Sequence, residues 1–137
     1  MPLAKDGLAA ASARIWIAFL TVVLIIGVYG HLRCRLQFQD PLATSLGVAD
    51  LDGWSVTHFL FFSIIGYVFP GPQKGAVAFL GGTAWELVEH WMGKNRPPWM
   101  GGWGGCQAPE MEAHNANWWY GRASDLVMNG LGLLAGN

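Results

Sequence analysis

Charge is what this sequence has least of. Of its 137 residues, eight are Lys or Arg and nine are Asp or Glu, 12% in all. That is about half the share usual in soluble domains, too little to cover a water-exposed surface. The net charge of -1 leaves no basic footprint, which argues against nucleic acid as a partner. Cysteine is scarce as well. Cys34 and Cys106 could pair, but their spacing fits no metal motif and leaves the compartment open. No internal repeat is visible. No small-x-small cleavage site follows the first apolar run, so that run reads as a retained anchor rather than a cleaved signal peptide.

In place of charge the chain has apolar mass: 53% hydrophobic residues, with eight tryptophans and nineteen glycines. Trp gathers at membrane interfaces, and Gly lets transmembrane helices approach closely. The expected fold is therefore an all-α integral membrane protein forming a single domain over residues 1–137. Three full transmembrane helices are expected at about residues 13–31, 54–70 and 75–93, with a shorter or truncated fourth C-terminal helix at 123–137. Pro70-Gly71-Pro72 ends the second segment, because proline cannot continue a helix. The tight turn to Gly75 sets the third helix antiparallel beside it. Residues 94–122 are rich in Trp, Gly and Pro and read as an interfacial loop. Asp40-Pro41 and Asp52-Gly53 are turn signals in the first connection. The basic residues are too few and too evenly divided to fix an orientation.

Within these apolar segments a few polar side chains stand out. Alternating spans put the first connection and the long loop on one side of the membrane. His58 lies about 6 Å inside the second segment from that side, Glu89 is equally deep on the third, and Glu86 is about one turn deeper. Asp125 and Asn129 enter from the same side on the fourth segment, and their i, i+4 spacing places them on one helical face. No Lys or Arg lies inside the spans to pair with the carboxylates, and a bare carboxylate near the bilayer core costs several kcal/mol. The carboxylates then require a proton, a wet cavity or a cation. Oxygen ligands from Glu86, Glu89, Asp125 and Asn129 would suit Ca²⁺ or Mg²⁺, leaving His58 as a general base. The simpler alternative is that these groups are hydrogen-bonding partners holding a helix bundle together. Gly132 and Gly136 form a small-xxx-small pair read as packing. His90 beside Trp91 reads as interfacial, and His31 and His114 as members of connections. Residues Asn115, Trp118 and Trp119 suit a lipid headgroup or an aromatic anchor at the interface.

The order THFLFFSIIGY, then WELVEHW, then NANWWYGRASDLVMNGLGLLAGN resembles the core of the base-exchange phosphatidylserine synthases. VanZ-like proteins show a related order of His, Glu and Asp-x-x-x-Asn. The resemblance covers residues 53–137 and leaves the first apolar segment unaccounted for. It implies a calcium-dependent phospholipid headgroup transferase: His58 as base, Glu86, Glu89, Asp125 and Asn129 as metal or headgroup ligands, and Asn115, Trp118, Trp119 and Arg122 at the headgroup interface. Tyr120 follows the Trp pair where the synthases carry an acid, and the chain is much shorter than theirs. These departures frame the other expectation: a non-catalytic accessory subunit of a photosynthetic or respiratory membrane complex, packing against other subunits or a second copy of itself. In that setting His58 or Glu89 would hold the metal of a pigment. A transporter is disfavoured, because so few spans leave little room for alternating access.

Overall fold

The computed structural model describes residues 7–36, 38–95 and 121–137. Among them the chain is all-α: α1 (Leu8–Leu36), a single 3-10 turn at Pro41–Ala43, α2 (Gly53–Val68), α3 (Pro72–Asn95) and α4 (Ala123–Gly136), with no strand. One stretch, Leu8–Arg33, is long and apolar enough to cross a membrane, and Gly53–Val68 is a shorter apolar helix.

All four segments expected to be helical are helices, with shifted ends. Helix α1 extends beyond 13–31 at both ends. The Ala-rich stretch before residue 13 has high helix propensity, and the far end continues to Leu36. His31, expected in a connection, therefore lies in a helix. Helix α2 stops at Val68, before Pro70, because proline disfavours helical backbone at the residue preceding it. Helix α3 begins at Pro72 itself, where a missing N–H costs nothing and the ring fixes a helical φ.

The start of α2 is tightly specified. Asp52 is its N-cap and accepts from Ser55 N at 3.0 Å, while Ser55 Oγ faces the Asp52 N–H in a capping box. The other Asp52 oxygen pairs with Arg122 Nη2 at 2.8 Å, tying the entry of α2 to the entry of α4. Replacing Asp52 with alanine should cost about 1 kcal/mol for the cap and more for the ion pair, since Asp52 is buried. Asp52→Asn should recover the cap share alone. Thermal unfolding in detergent, comparing the two variants, separates the contributions.

Helix pairing departs from the expected hairpin order. The most extensive packing joins α2 to α4, while α3 packs against α1 and α4 to similar extents and touches α2 more lightly. Glycine explains the first pairing. A Cβ at Gly132 would collide with the Phe59 carbonyl oxygen, and one at Gly136 with the Ser63 carbonyl oxygen. Two glycines four residues apart on α4 thus meet two backbone positions four residues apart on α2, as small-residue interfaces do. The second pairing uses a stripe of Ala11, Ile15 and Phe19 on α1, which joins Ala78 of α3 and Phe62, Ile65 and Phe69 in one core. A spacing of four keeps such residues on one helical face.

Large apolar side chains also cover the outside. Leu20 and Leu24 on α1, Ile64 on α2, Leu80 and Leu87 on α3, and Val127 and Leu134 on α4 are each at least 60% exposed. Every helix therefore presents an apolar outer face, a pattern far beyond the scattered exposed leucines of an ordinary soluble surface.

Candidate functional site

The site is built where α2, α3 and α4 converge. His58 lies one turn into α2, beyond the Asp52 cap. Its Nδ1 is 2.8 Å from Asn129 Oδ1 on α4, and its Nε2 is 3.5 Å from Glu86 Oε1 on α3. An amide oxygen can only accept, so this contact selects the tautomer with the proton on Nδ1. The Nε2 lone pair is then directed at the carboxylates. Asn129 is fully buried, so the orientation of the ring is set by a side chain with no freedom to swing away.

Glu86 is 4% exposed, and its two oxygens differ. Oε2 accepts from the backbone N–H of Arg122 at 3.0 Å. That bond depends on Gly121, where a Cβ would strike the Glu86 carbonyl oxygen; a bare backbone can pass close enough to α3. Among the described residues, neither the buried Oε1 nor the buried Asn129 Nδ2 has a hydrogen-bond partner. Unpartnered buried polar atoms are costly, and here an acceptor and a donor of this kind belong to one cluster. Glu89 follows three residues later on α3, and like His58 it lines the cavity described below.

His58, Glu86 and Glu89 can each offer a ligand atom with all three atoms within 4.8 Å of one another. The fit to a divalent cation is therefore good in distance, and the unpartnered Glu86 Oε1 supplies a second, independent reason. The two carboxylates are oxygen ligands of the kind the sequence suggested; the imidazole Nε2 beside them would be a third ligand or, with the ion held by the carboxylates alone, stay free as a base. Asp125 and Asn129, also expected as ligands, each have a hydrogen-bond partner on α2. Asp125 Oδ1 accepts from Ser55 Oγ at 2.7 Å, and Asn129 holds His58. Groups in such positions orient the residues in front of them. Of the residues expected at the headgroup interface, Arg122 binds Asp52 and the carbonyl of Asp50. Asn115, Trp118 and Trp119 lie outside the described residues, as do Cys106, His114 and Tyr120.

Two contributors escaped the sequence reading. Ser55 is completely buried between Asp52 and Asp125, and its signal was available, because Asp52-x-x-Ser55 is a capping pattern. Asp40 caps the 3-10 turn and also accepts from Tyr29 Oη at 2.7 Å and Trp54 Nε1 at 2.6 Å. Its only local trace was Asp before Pro, a turn signal that says nothing about partners on α1 and α2.

Beside the cluster lies a cavity of about 340 Å³. His58, Glu89 and Asp125 form its polar side, and Val22, Val23 and Ile26 of α1 are among its apolar walls. No family model, curated protein or solved structure matches this chain.

Proposed function

We propose that the chain is an integral membrane protein in which α1, α2 and α3 cross the bilayer, α4 enters from one side, and the His58 cluster acts on a phospholipid headgroup. The apolar outer faces of all four helices support the membrane setting. The observation that carries the chemical reading is the imidazole of His58, fixed by Asn129 and facing two glutamates beside an apolar cavity. Such a pairing of polar end and apolar wall is what an amphipathic substrate requires.

In this reading His58 Nε2 takes the proton of an attacking hydroxyl, from water or an alcohol, as that oxygen forms a bond to phosphorus. The bond from phosphorus to the departing headgroup oxygen breaks, and His58 returns the proton to that oxygen. Asn129 keeps the imidazole in the tautomer that can accept the proton. Glu86 and Glu89 would hold a divalent cation. When bound, such an ion offsets the buried carboxylates and stabilises negative charge on the phosphodiester.

The test is phospholipid turnover by purified protein in mixed micelles, with divalent cation supplied or chelated. Wild type should release or exchange headgroup only with cation present, and His58→Ala should lower the rate by about 10²-fold or more, the contribution general base catalysis makes. Equal rates from both proteins would remove His58 from the chemistry. Recovery of an inactive chain only within a stoichiometric complex would overturn the catalytic reading as a whole.

A further inference from the structure

Helices α1 and α2 are joined by aromatic contacts at two separate levels. At one, Phe19 meets Phe61 and Phe62 with ring centroids 5.3 and 5.7 Å apart; at the other, Tyr29 meets Trp54 at 5.7 Å. Asp40 fastens the second level by accepting from both Tyr29 and Trp54. Phe19 and Tyr29 are ten residues apart on one helix, which is about 15 Å of axial rise. The cavity beside the His58 cluster lies between these two braces, with members of both among its walls.

We propose that the gap framed by the two braces is a lateral entrance through which one acyl chain of a bilayer phospholipid lies along α1 while its headgroup reaches His58. The proposal rests on the headgroup reading above and identifies the substrate as a lipid taken from the bilayer rather than a water-soluble phosphodiester. Three observations carry it. Between Phe19 and Tyr29 the α1 wall is Val22, Val23, Ile25 and Ile26, all apolar; the polar side is His58, Glu89 and Asp125 with Thr57, and the Tyr29 hydroxyl is taken up by Asp40. A soluble substrate would need polar partners along its whole length to offset desolvation, whereas a methylene chain needs only apolar contact. Ile25 both lines the cavity and is 61% exposed, so it stands at a rim that opens to the outside. The exposed faces of the same two helices are apolar, with Leu24 on α1 and Leu60 and Ile64 on α2. Finally, a volume of about 340 Å³ is at the small end of ligand sites. It suits one chain and leaves the other in the surrounding lipid.

The probe is phosphatidylcholine with a photoreactive diazirine midway along one acyl chain, doped into vesicles containing the full-length protein. After irradiation, wild type should carry adducts on residues 22–26 and on the facing stretch of α2, in addition to those that annular lipid leaves on Leu80 and Leu87. Val22→Trp and Val23→Trp, each placing an indole in the cavity, should lower the adducts at the gap about tenfold while Leu80 and Leu87 label as before. Unchanged labelling at those two leucines also serves as the check that the variants fold. Adducts at the gap in equal yield from wild type and both Trp variants would overturn the entrance. So would turnover of soluble glycerophosphocholine at the rate of the diacyl lipid, although that result would leave the headgroup chemistry standing. His58→Ala should retain the gap adducts, so loss of catalysis and loss of the entrance are read separately.

Discussion

Gly132→Val should separate α2 from α4 and lower stability by about 3 kcal/mol or more. The reasoning is steric. A Cβ at Gly132 already collides with the carbonyl oxygen of Phe59 and lies 3.0 Å from Phe62 Cβ and 3.1 Å from Ser63 N. Backbone cannot yield as a flexible side-chain tip can, and Gly136 repeats the same contact one turn later against Ser63, so α4 cannot slide to relieve it. The expected result is a large drop in the midpoint of thermal unfolding in detergent, accompanied by loss of the 2.8 Å contact between His58 and Asn129. Gly130→Ala is the control. Its nearest neighbour would be Phe79 Cε2 at 3.8 Å, ordinary contact, so alanine should be neutral or slightly stabilising through its better helix propensity. Equal unfolding midpoints for the two variants would mean that α2 and α4 do not pack through Gly132.

The second large effect is expected at Glu86, where one carboxylate serves two ends of the site. Glu86→Ala removes the acceptor of the Arg122 N–H and the oxygen facing His58. Loss of a part-buried hydrogen bond to a carboxylate costs about 1–3 kcal/mol, and the cluster loses a ligand atom. Glu86→Gln separates these roles. Its amide oxygen can still accept from Arg122, so the unfolding midpoint should stay near that of wild type. The lost charge should weaken retention of a divalent cation at least about tenfold, or ~1.4 kcal/mol. Both are measurable by unfolding and by metal content after dialysis against a fixed free-ion concentration. If Glu86→Gln retained as much metal as wild type, the carboxylate would not be a ligand.

The four helices were legible because their boundaries are local. Pro70-Gly71-Pro72 stops one apolar run and starts the next, and Asp52-Gly53 opens α2. The pairing of His58 with α4 was within reach for a similar reason, since depth along each helix follows from residue number alone. Gly132 and Gly136 announced a close helix contact, although not which helix they would meet. What the sequence concealed are choices made across long separations. Ser55 and Asp125 are 70 residues apart, as are Asp52 and Arg122, and no periodicity marks either pair. The contacts of Asp125 with Ser55 and of Asn129 with His58 were hidden by the same limit: residue type and depth were legible, the partners were not. The pairing of α3 with α1 also prevailed over the short connection from α2, because the face bearing Ala11, Ile15 and Phe19 is matched by Ala78.

The helices differ in length, and in the membrane setting proposed above that difference would act on the surrounding bilayer. Helix α1 has 29 residues and α3 has 24, while α2 has 16. At 1.5 Å per residue α2 reaches only about 24 Å, against a hydrocarbon slab of about 30 Å. Lipids bordering α2 would have to compress or tilt their tails, at a fraction of a kcal/mol per Å. The dimple so formed would lower the phosphate plane on that flank, and the protein would partition toward thinner, sterol-poor membranes.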